Sequence, residues 1–90
     1  MTTLLAKFSY NSDRKNIIFD RSITIDSMLK SFLNEIHLKP CCDREYITFM
    51  YNAMVLNHPN NLNKTLSEVF KNCNYVSIKV IEPNNVRGGK

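Results

Sequence analysis

The residues best suited to chemistry in this sequence are three cysteines and two histidines. Cys41 and Cys42 are adjacent, whereas Cys73, His37 and His58 stand apart from them. A structural zinc site needs a full ligand set, usually with paired cysteines separated by about two to four residues, and this spacing is missing. Nucleophilic catalysis needs a base placed beside a thiol or hydroxyl, and no spacing in the chain indicates such a pair. We therefore predict no enzymatic activity, no metal ion and no cofactor.

The cysteines also bear on the cellular compartment. Their number is odd, and adjacent cysteines seldom pair with each other, so a disulfide framework is not expected. Reduced thiols are typical of cytoplasmic and nuclear proteins. The N-terminus lacks the basic and apolar segments of a signal peptide, and no apolar run is long enough to cross a membrane. We expect a cytoplasmic or nuclear protein that does not bind membranes.

The composition is typical of one globular domain, with 90 residues of which 43% are hydrophobic and 22% charged. The net charge of +4 is mildly basic, and the cations are scattered along the chain. Arg87, Gly88 and Gly89 form one copy of a triplet found in RNA-binding segments, without the repeats or aromatic residues that usually accompany it. A small basic nucleic-acid-binding domain is therefore only a remote alternative.

One amphipathic helix is the strongest structural pattern. Its apolar residues recur at helical spacing and form one stripe, which consists of Ile25, Met28, Leu29, Phe32, Leu33 and Ile36. Thr24 is placed to cap the N-terminus, and Asp26 lies in the first turn, where the helix dipole favours an anion. Lys39 and Pro40 are predicted to end the helix, because the residue before a proline is disfavoured in helical conformation. Such a stripe must pack against a sheet.

Apolar and β-branched segments separated by turn formers predict the strands. These segments are residues 4–10, 17–19, 46–51, 54–56 and 75–81. The polar segment 11–16 predicts the turn of an antiparallel hairpin, and residues 57–63 predict a loop. Thr65 and Glu68 have the spacing of a capping box, which predicts a second, short helical turn.

These elements predict a β-grasp, an α+β fold. In it, the first and last strands pair in parallel at the centre of a mixed sheet of about four or five strands, and the main helix crosses one face. The short helical turn precedes the last strand. The predicted core is Leu4, Ala6, Ile17, Phe19, Ile25, Met28, Leu29, Phe32, Leu33, Ile36, Phe49, Leu56, Leu66, Val76, Ile78 and Val80. We predict one domain over residues 1–82 and a flexible tail over 83–90, because Pro83 and a glycine pair follow the last strand.

Four segments, in order, resemble the ubiquitin family. Residues 24–26, Thr-Ile-Asp, are similar to the family's Thr-Ile-Glu at the start of the helix. Residues 51–56, Tyr-Asn-Ala-Met-Val-Leu, resemble its Phe-x-Gly-Lys-x-Leu strand, turn and strand. Residues 65–68, Thr-Leu-Ser-Glu, resemble Thr-Leu-Ser-Asp, and residues 86–89, Val-Arg-Gly-Gly, resemble Leu-Arg-Gly-Gly. The resemblance extends over nearly the whole chain and implies the ubiquitin-like β-grasp fold.

The resemblance implies a non-catalytic protein, expected to be a monomer, that other proteins recognise. Partners in this family are activating and conjugating enzymes, or receptors for ubiquitin-like domains. Some members are modifiers, attached covalently to other proteins through a C-terminal Gly-Gly, which fits narrow enzyme channels because glycine has no Cβ. Here the conjugation residues would be Arg87, Gly88 and Gly89, after a protease removes Lys90.

The resemblance also places a partner-binding surface on the outer sheet face, at Thr48, Met50, Ser77 and Lys79. Met50 is a suitable apolar anchor, but Lys79 stands where the family has a valine, so an acidic or mixed partner surface is expected. Met50 and Ile81 are either parts of one patch or scattered apolar residues, which are normal on surfaces. Two alternatives remain: a non-conjugated ubiquitin-like domain of a larger regulatory or scaffold protein, and a β-grasp domain with another task, such as Ras binding.

Overall fold

A single mixed sheet contains the five strands of the described part of the chain. The computed structural model describes residues 2–10, 12–38, 46–71 and 73–82. Its elements in chain order are β1 (Thr3–Tyr10), β2 (Asp13–Asp20), α1 (Ile25–Glu35), β3 (Thr48–Tyr51), β4 (Met54–Val55), α2 (Pro59–Leu62), α3 (Leu66–Phe70) and β5 (Tyr75–Ile81). The predicted tail, residues 83–90, lies outside the described residues.

The strand order in the sheet is β2-β1-β5-β3-β4. The first and last strands, β1 and β5, lie side by side and parallel at the centre, from Leu5 opposite Tyr75 to Tyr10 opposite Val80. The other neighbours, β1 with β2, β5 with β3 and β3 with β4, are antiparallel. The apolar stripe of α1 and the inward side chains of the sheet form one hydrophobic cluster. The predicted α+β β-grasp is confirmed.

Most of the predicted core is buried, but five positions differ. Phe8, Ile47 and Phe70 are buried members of the cluster that the predicted core omits. Two predicted core residues, Ile17 and Ile36, are only half-buried. Ile17 lies on the edge strand β2, which has a neighbour on one side only, and Ile36 caps the C-terminus of α1, so the core covers neither completely.

The first hairpin is longer than predicted. Residues 13–16, assigned to the turn from their polarity, belong to β2, which pairs with β1 from Asp13 opposite Tyr10. The polar side chains are compatible with a strand because only one face of this sheet is covered. Arg14 and Asn16 are exposed, and the inward Lys15 reaches Glu35 of α1, with 3.4 Å between Nζ and Oε1. The prediction of a turn over these positions was wrong.

The main helix begins where predicted and ends earlier. Thr24 caps α1, and its Oγ1 accepts a hydrogen bond from the Ser27 N–H at 3.2 Å. At the other end, the Leu38 N–H donates to the Leu33 carbonyl at 2.8 Å, and His37 takes the left-handed conformation with φ of 65°. This is a Schellman ending, usually made with glycine. The helix is therefore complete before Lys39 and Pro40, which lie outside the described residues, and the predicted stop at those residues was wrong.

The segment between β4 and β5 contains two short helices. Residues 57–63 were predicted to be a loop, but α2 occupies Pro59–Leu62, with proline in the first turn, where no N–H partner is needed. The predicted capping box before α3 is confirmed. Thr65 Oγ1 accepts from the Glu68 N–H at 3.2 Å, and Glu68 Oε1 accepts from the Thr65 N–H at 2.8 Å.

Candidate protein-interaction surface

The sheet face opposite α1 is open to solvent. On β5 the side chains alternate, so that Val76, Ile78 and Val80 are buried and the residues between them are exposed. Paired residues on neighbouring strands point to the same side of a sheet. The outer face therefore carries the exposed or half-exposed side chains of Thr3, Leu5, Lys7, Ser9, Arg14, Asn16, Ile18, Asp20, Thr48, Met50, Val55, Tyr75, Ser77, Lys79 and Ile81.

Three of the four predicted binding residues meet in one shallow depression on this face. Met50 on β3 lies opposite Lys79 on β5, and Ser77 is the next outward residue of β5. The depression has a volume of about 500 Å³, and Ile81 also lines it. Thr48 does not line the depression but lies beside it, opposite Ile81 in the strand register. We refer to Thr48, Met50, Ser77, Lys79 and Ile81 as the Met50 surface.

From the sequence, Ile81 and Met50 were either parts of one patch or scattered apolar residues. The Ile81 side chain is 41% exposed, and it shares the depression with Met50. The alternation of β5 places Lys79 and Ile81 on the same side of the sheet, two residues apart. The depression therefore has two apolar side chains on neighbouring strands, and Lys79 lies opposite Met50 and two residues before Ile81.

The outer face is mainly cationic. Lys7, Arg14 and Lys79 occupy outward positions, and among the described strand residues the only outward carboxylate is that of Asp20. This carboxylate accepts hydrogen bonds from the Ser22 hydroxyl at 2.7 Å and the Ser22 N–H at 2.8 Å, which lower the pKa of Asp20. The described strand residues therefore give the outer face a net positive charge.

Tyr75 lies on the same face, within the cationic region. The pKa of Tyr75 is lowered mainly by its interaction with the Lys7 ammonium group and also by the Ser77 hydroxyl, which donates a hydrogen bond to the phenol oxygen. The distance from Ser77 Oγ to this oxygen is 3.1 Å, and Lys7 Nζ lies 5.6 Å from the centroid of the Tyr75 ring. Lys7 thus lies over the Tyr75 ring, and Ser77 contacts its hydroxyl.

The other chemically distinctive residues serve the fold or lie outside the described part. His58 Nδ1 accepts a hydrogen bond from the Asn60 N–H at 3.1 Å and so caps α2. Cys73 is half-buried, with its Sγ 3.6 Å from the Tyr51 hydroxyl, and this contact is the main cause of a raised pKa of Tyr51.

Within the described ranges no cluster of histidine, cysteine and carboxylate side chains is arranged to hold a metal ion. The predicted conjugation residues Arg87, Gly88 and Gly89, and also Cys41 and Cys42, lie outside those ranges.

Comparison with solved structures identifies the architecture. The ubiquitin-like domain of an Arabidopsis thaliana protein, determined by solution NMR, aligns with 91% of this chain and 79% of its own, at a TM-score of 0.66 and 15% identity. Caldiarchaeum subterraneum ubiquitin aligns over 90% of this chain and 94% of its own, at a TM-score of 0.68 and 12% identity. This chain has the ubiquitin-like β-grasp fold.

The ubiquitin-like fold also matches part of a larger chain. In a crystal structure of a complex of pParkin, pUb and UbcH7, 23% of one chain aligns with 91% of this one, at a TM-score of 0.68 and 12% identity. These structural alignments confirm, for the fold, the likeness to ubiquitin that the sequence motifs predicted.

No family model and no curated protein matches the sequence. No helix of this ubiquitin-like chain, over the ranges described, has the length and apolar character to cross a membrane.

Proposed function

We propose that this chain is a non-enzymatic ubiquitin-like protein or domain that binds other proteins through the Met50 surface. The observation that carries the proposal is the meeting of Met50 and Ile81 in one depression of the outer sheet face. Apolar side chains at the centre of a patch, bordered by polar groups, are typical of protein interfaces. Here Ser77, Lys79 and Thr48 supply the polar border. The ubiquitin-like fold supports a role in protein recognition.

The charge of the outer face supports a partner with acidic groups. Lys79 lies within the Met50 surface, and Lys7 and Arg14 lie on β1 and β2 of the same face. These cations favour a partner surface that contains carboxylates beside its apolar contacts. They also oppose face-to-face pairing of two copies, so we propose that the protein acts as a monomer.

Partner capture with paired methionine variants tests this proposal. Met50→Glu introduces a carboxylate into the depression. Met54→Glu makes the same chemical change on β4, but on the other side of the sheet, because Met54 is paired with the inward residue Tyr51. Each chain is immobilised and the bound cellular proteins are quantified by mass spectrometry. We expect Met50→Glu to lose about 90% or more of a specifically captured partner and Met54→Glu to retain it.

The folding of both variants is verified by circular dichroism and thermal unfolding before capture. Equal capture of the same partners by the original chain and by correctly folded Met50→Glu would overturn the proposal. Loss of capture in both variants would also count against it, because the effect would then not be specific to the Met50 surface.

Covalent attachment through Gly89 is a second proposed layer of function. It is supported by the sequence Arg87, Gly88, Gly89, which follows the last strand of a ubiquitin-like fold. Hydrolysis of the peptide bond between Gly89 and Lys90 would give the free Gly89 carboxylate. Glycine at these positions leaves the backbone without Cβ atoms, so that an enzyme channel closes around it. Arg87 would be a charged contact for the enzymes that recognise the tail.

Mass spectrometry of the cellular protein tests the second layer. Conjugation requires a species that ends at Gly89 and higher-mass adducts that disappear in Gly89→Ala but persist in Val86→Ala. A chain that continues past Lys90 without cleavage, and forms no adducts, would instead support the alternative of a non-conjugated domain in a larger regulatory or scaffold protein.

A further inference from the structure

A second apolar group lies at the other end of the outer face. Leu5 on the central strand β1 lies opposite Ile18 on β2 and opposite Tyr75 on β5. Directly opposed residues in a sheet have Cβ atoms about 5 Å apart, so the three side chains form a continuous row across three strands. Ile18 is 68% exposed, Tyr75 is 47% exposed and Leu5 is half-buried between them. This is a row of large apolar side chains on the open side of the sheet.

This row is separate from the Met50 surface. Tyr75 and Ile81 stand at opposite ends of β5, which at the usual rise along a strand places them about 20 Å apart. Ser77 and Lys79 occupy the outward positions between them. The depression around Met50 does not include Leu5, Ile18 or Tyr75 among its lining residues. The row thus shares no residue with the Met50 surface, which it adjoins where the Ser77 hydroxyl donates a hydrogen bond to the Tyr75 oxygen.

Cations border one side of the row. Lys7 is the outward residue next to Leu5 on β1, and its Nζ lies 5.6 Å from the centroid of the Tyr75 ring. Arg14 is outward on β2, on the same face. On the other side of the row, Asp20 is the next outward residue after Ile18 on β2. The side of the row that faces Lys7 and Arg14 is thus positively charged, and the opposite side carries one carboxylate.

We propose that Leu5, Lys7, Ile18 and Tyr75 form a second docking surface, the Tyr75 surface, for a protein segment that carries apolar side chains next to carboxylates. Apolar side chains of the segment would cover Leu5, Ile18 and the Tyr75 ring, which removes exposed apolar area from water. Its carboxylates would lie near Lys7 and Arg14. A second copy of this chain is a poorer occupant, because its outer face offers the carboxylate of Asp20 against the cations Lys7, Arg14 and Lys79.

A displayed library of random peptides provides the probe. The complete chain carrying Met50→Glu is used as bait, so that the selection depends on surfaces other than the Met50 surface. We expect the selected peptides to be enriched in both carboxylate and large apolar residues. Their affinities are then measured by fluorescence polarisation against the original chain and its variants.

Two substitutions in the Tyr75 surface and one matched control give the readout. We expect Ile18→Thr, which keeps a β-branched residue at an exposed strand position, to weaken binding about fivefold or more. We expect Lys7→Glu to weaken binding about tenfold, and Lys64→Glu, which makes the same charge change at an exposed site before α3, to leave it within about twofold. Thermal unfolding establishes that each variant is folded.

Three results would overturn the proposal. The first is a set of selected peptides without carboxylates, and the second is binding that folded Ile18→Thr and Lys7→Glu chains leave unchanged. The third is concentration-dependent dimerisation of the original chain in sedimentation equilibrium that Ile18→Thr abolishes, because the occupant would then be a second copy. Loss of peptide affinity in Ile18→Thr and Lys7→Glu, with retention in Lys64→Glu, supports it whether or not the proposed role of the Met50 surface holds.

Discussion

The Arg21 guanidinium donates a hydrogen bond from Nη2 to the side-chain oxygen of Asn74 at 3.0 Å, and so joins the end of β2 to the start of β5. The same Nη2 donates to the Cys73 carbonyl, and Nη1 donates to the Lys71 carbonyl at 3.3 Å. Its Nε donates to the Thr3 carbonyl at 3.2 Å. One side chain thus connects β1, the turn after α3 and the segment that leads into the last strand.

Replacing Arg21 is therefore expected to weaken the fold. Arg21→Ala removes several charge-assisted hydrogen bonds to backbone carbonyls, and we expect it to reduce the free energy of unfolding by about 1–3 kcal/mol. Arg21→Lys should recover only part of this, because an ammonium group lacks the planar arrangement of donors. Urea unfolding followed by far-ultraviolet circular dichroism measures both changes.

Arg14→Ala is the matched control for this measurement. Arg14 is an exposed, outward residue of β2, so its removal should change the free energy of unfolding by no more than about 0.5 kcal/mol. A cost of Arg21→Ala equal to that of Arg14→Ala would show that the four hydrogen bonds do not stabilise the fold.

The aromatic rings at the centre of the core are expected to contribute strongly to stability. The Phe8 ring stacks on the Phe32 ring of α1 with centroids 4.3 Å apart, and it meets Phe19 and Phe49 edge to face. Phe8→Ala would leave a cavity between the helix and the sheet, and we expect a loss of about 3–5 kcal/mol in the free energy of unfolding. Small domains have only about 5–15 kcal/mol in total, so the variant should be close to unfolding.

Chemical unfolding and the dispersion of amide NMR signals test the Phe8 prediction. Tyr46→Ala is the control, because it removes an aromatic ring that is 59% exposed and lies just before β3. We expect a change of at most about 1 kcal/mol for this control. If Phe8→Ala were as stable as Tyr46→Ala, the stacking with Phe32 would contribute nothing measurable.

The lowered pKa of Asp20 predicts how the stability of the fold depends on pH. Hydrogen bonds from Ser22 place the pKa of Asp20 below its ordinary value of about 3.9 in the folded chain. The resulting stabilisation is fully present above the ordinary value and is lost as the pH falls through the lowered pKa. Ser22→Ala removes the hydroxyl donor but keeps the N–H, so the pKa of Asp20 should rise part of the way back.

Titration of the Asp20 carboxyl carbon signal by NMR measures this change directly. Ser31→Ala, on the exposed side of α1, should leave the titration of Asp20 as it is in the original chain. An unchanged pKa of Asp20 in Ser22→Ala would mean that the hydroxyl does not interact with the carboxylate in solution.

Features that depend on neighbours in the chain were predictable from sequence. Thr24 and the pair Thr65 and Glu68 have capping side chains whose partners lie within three residues, so their roles follow from spacing alone. The alternation of β5 and the apolar stripe of α1 also follow from local periodicity. By contrast, the end of α1 at His37 was missed, because a Schellman ending without glycine has no strong sequence signal.

Polarity misled the prediction where the fold covers only one side of a strand. Residues 13–16 contain enough polar side chains to resemble a turn, but β1 supplies their backbone hydrogen bonds and solvent surrounds their outward side chains. Phe8 was omitted from the core although it continues the alternation of Leu4 and Ala6. Its central position became clear only when Phe32 and Phe49 were seen to meet around it.

The amino-acid sequence by itself determined the main helix, the order of the strands and the side of β5 that faces the core, because these follow from local patterns in the chain. The groupings on the outer face were decided only by tertiary structure. Met50 meets Ile81, and Ile18 meets Leu5 and Tyr75, through the register between strands that are distant in the chain. That register is set when the inward side chains of all the strands pack against α1. It therefore depends on the whole domain and not on any single segment.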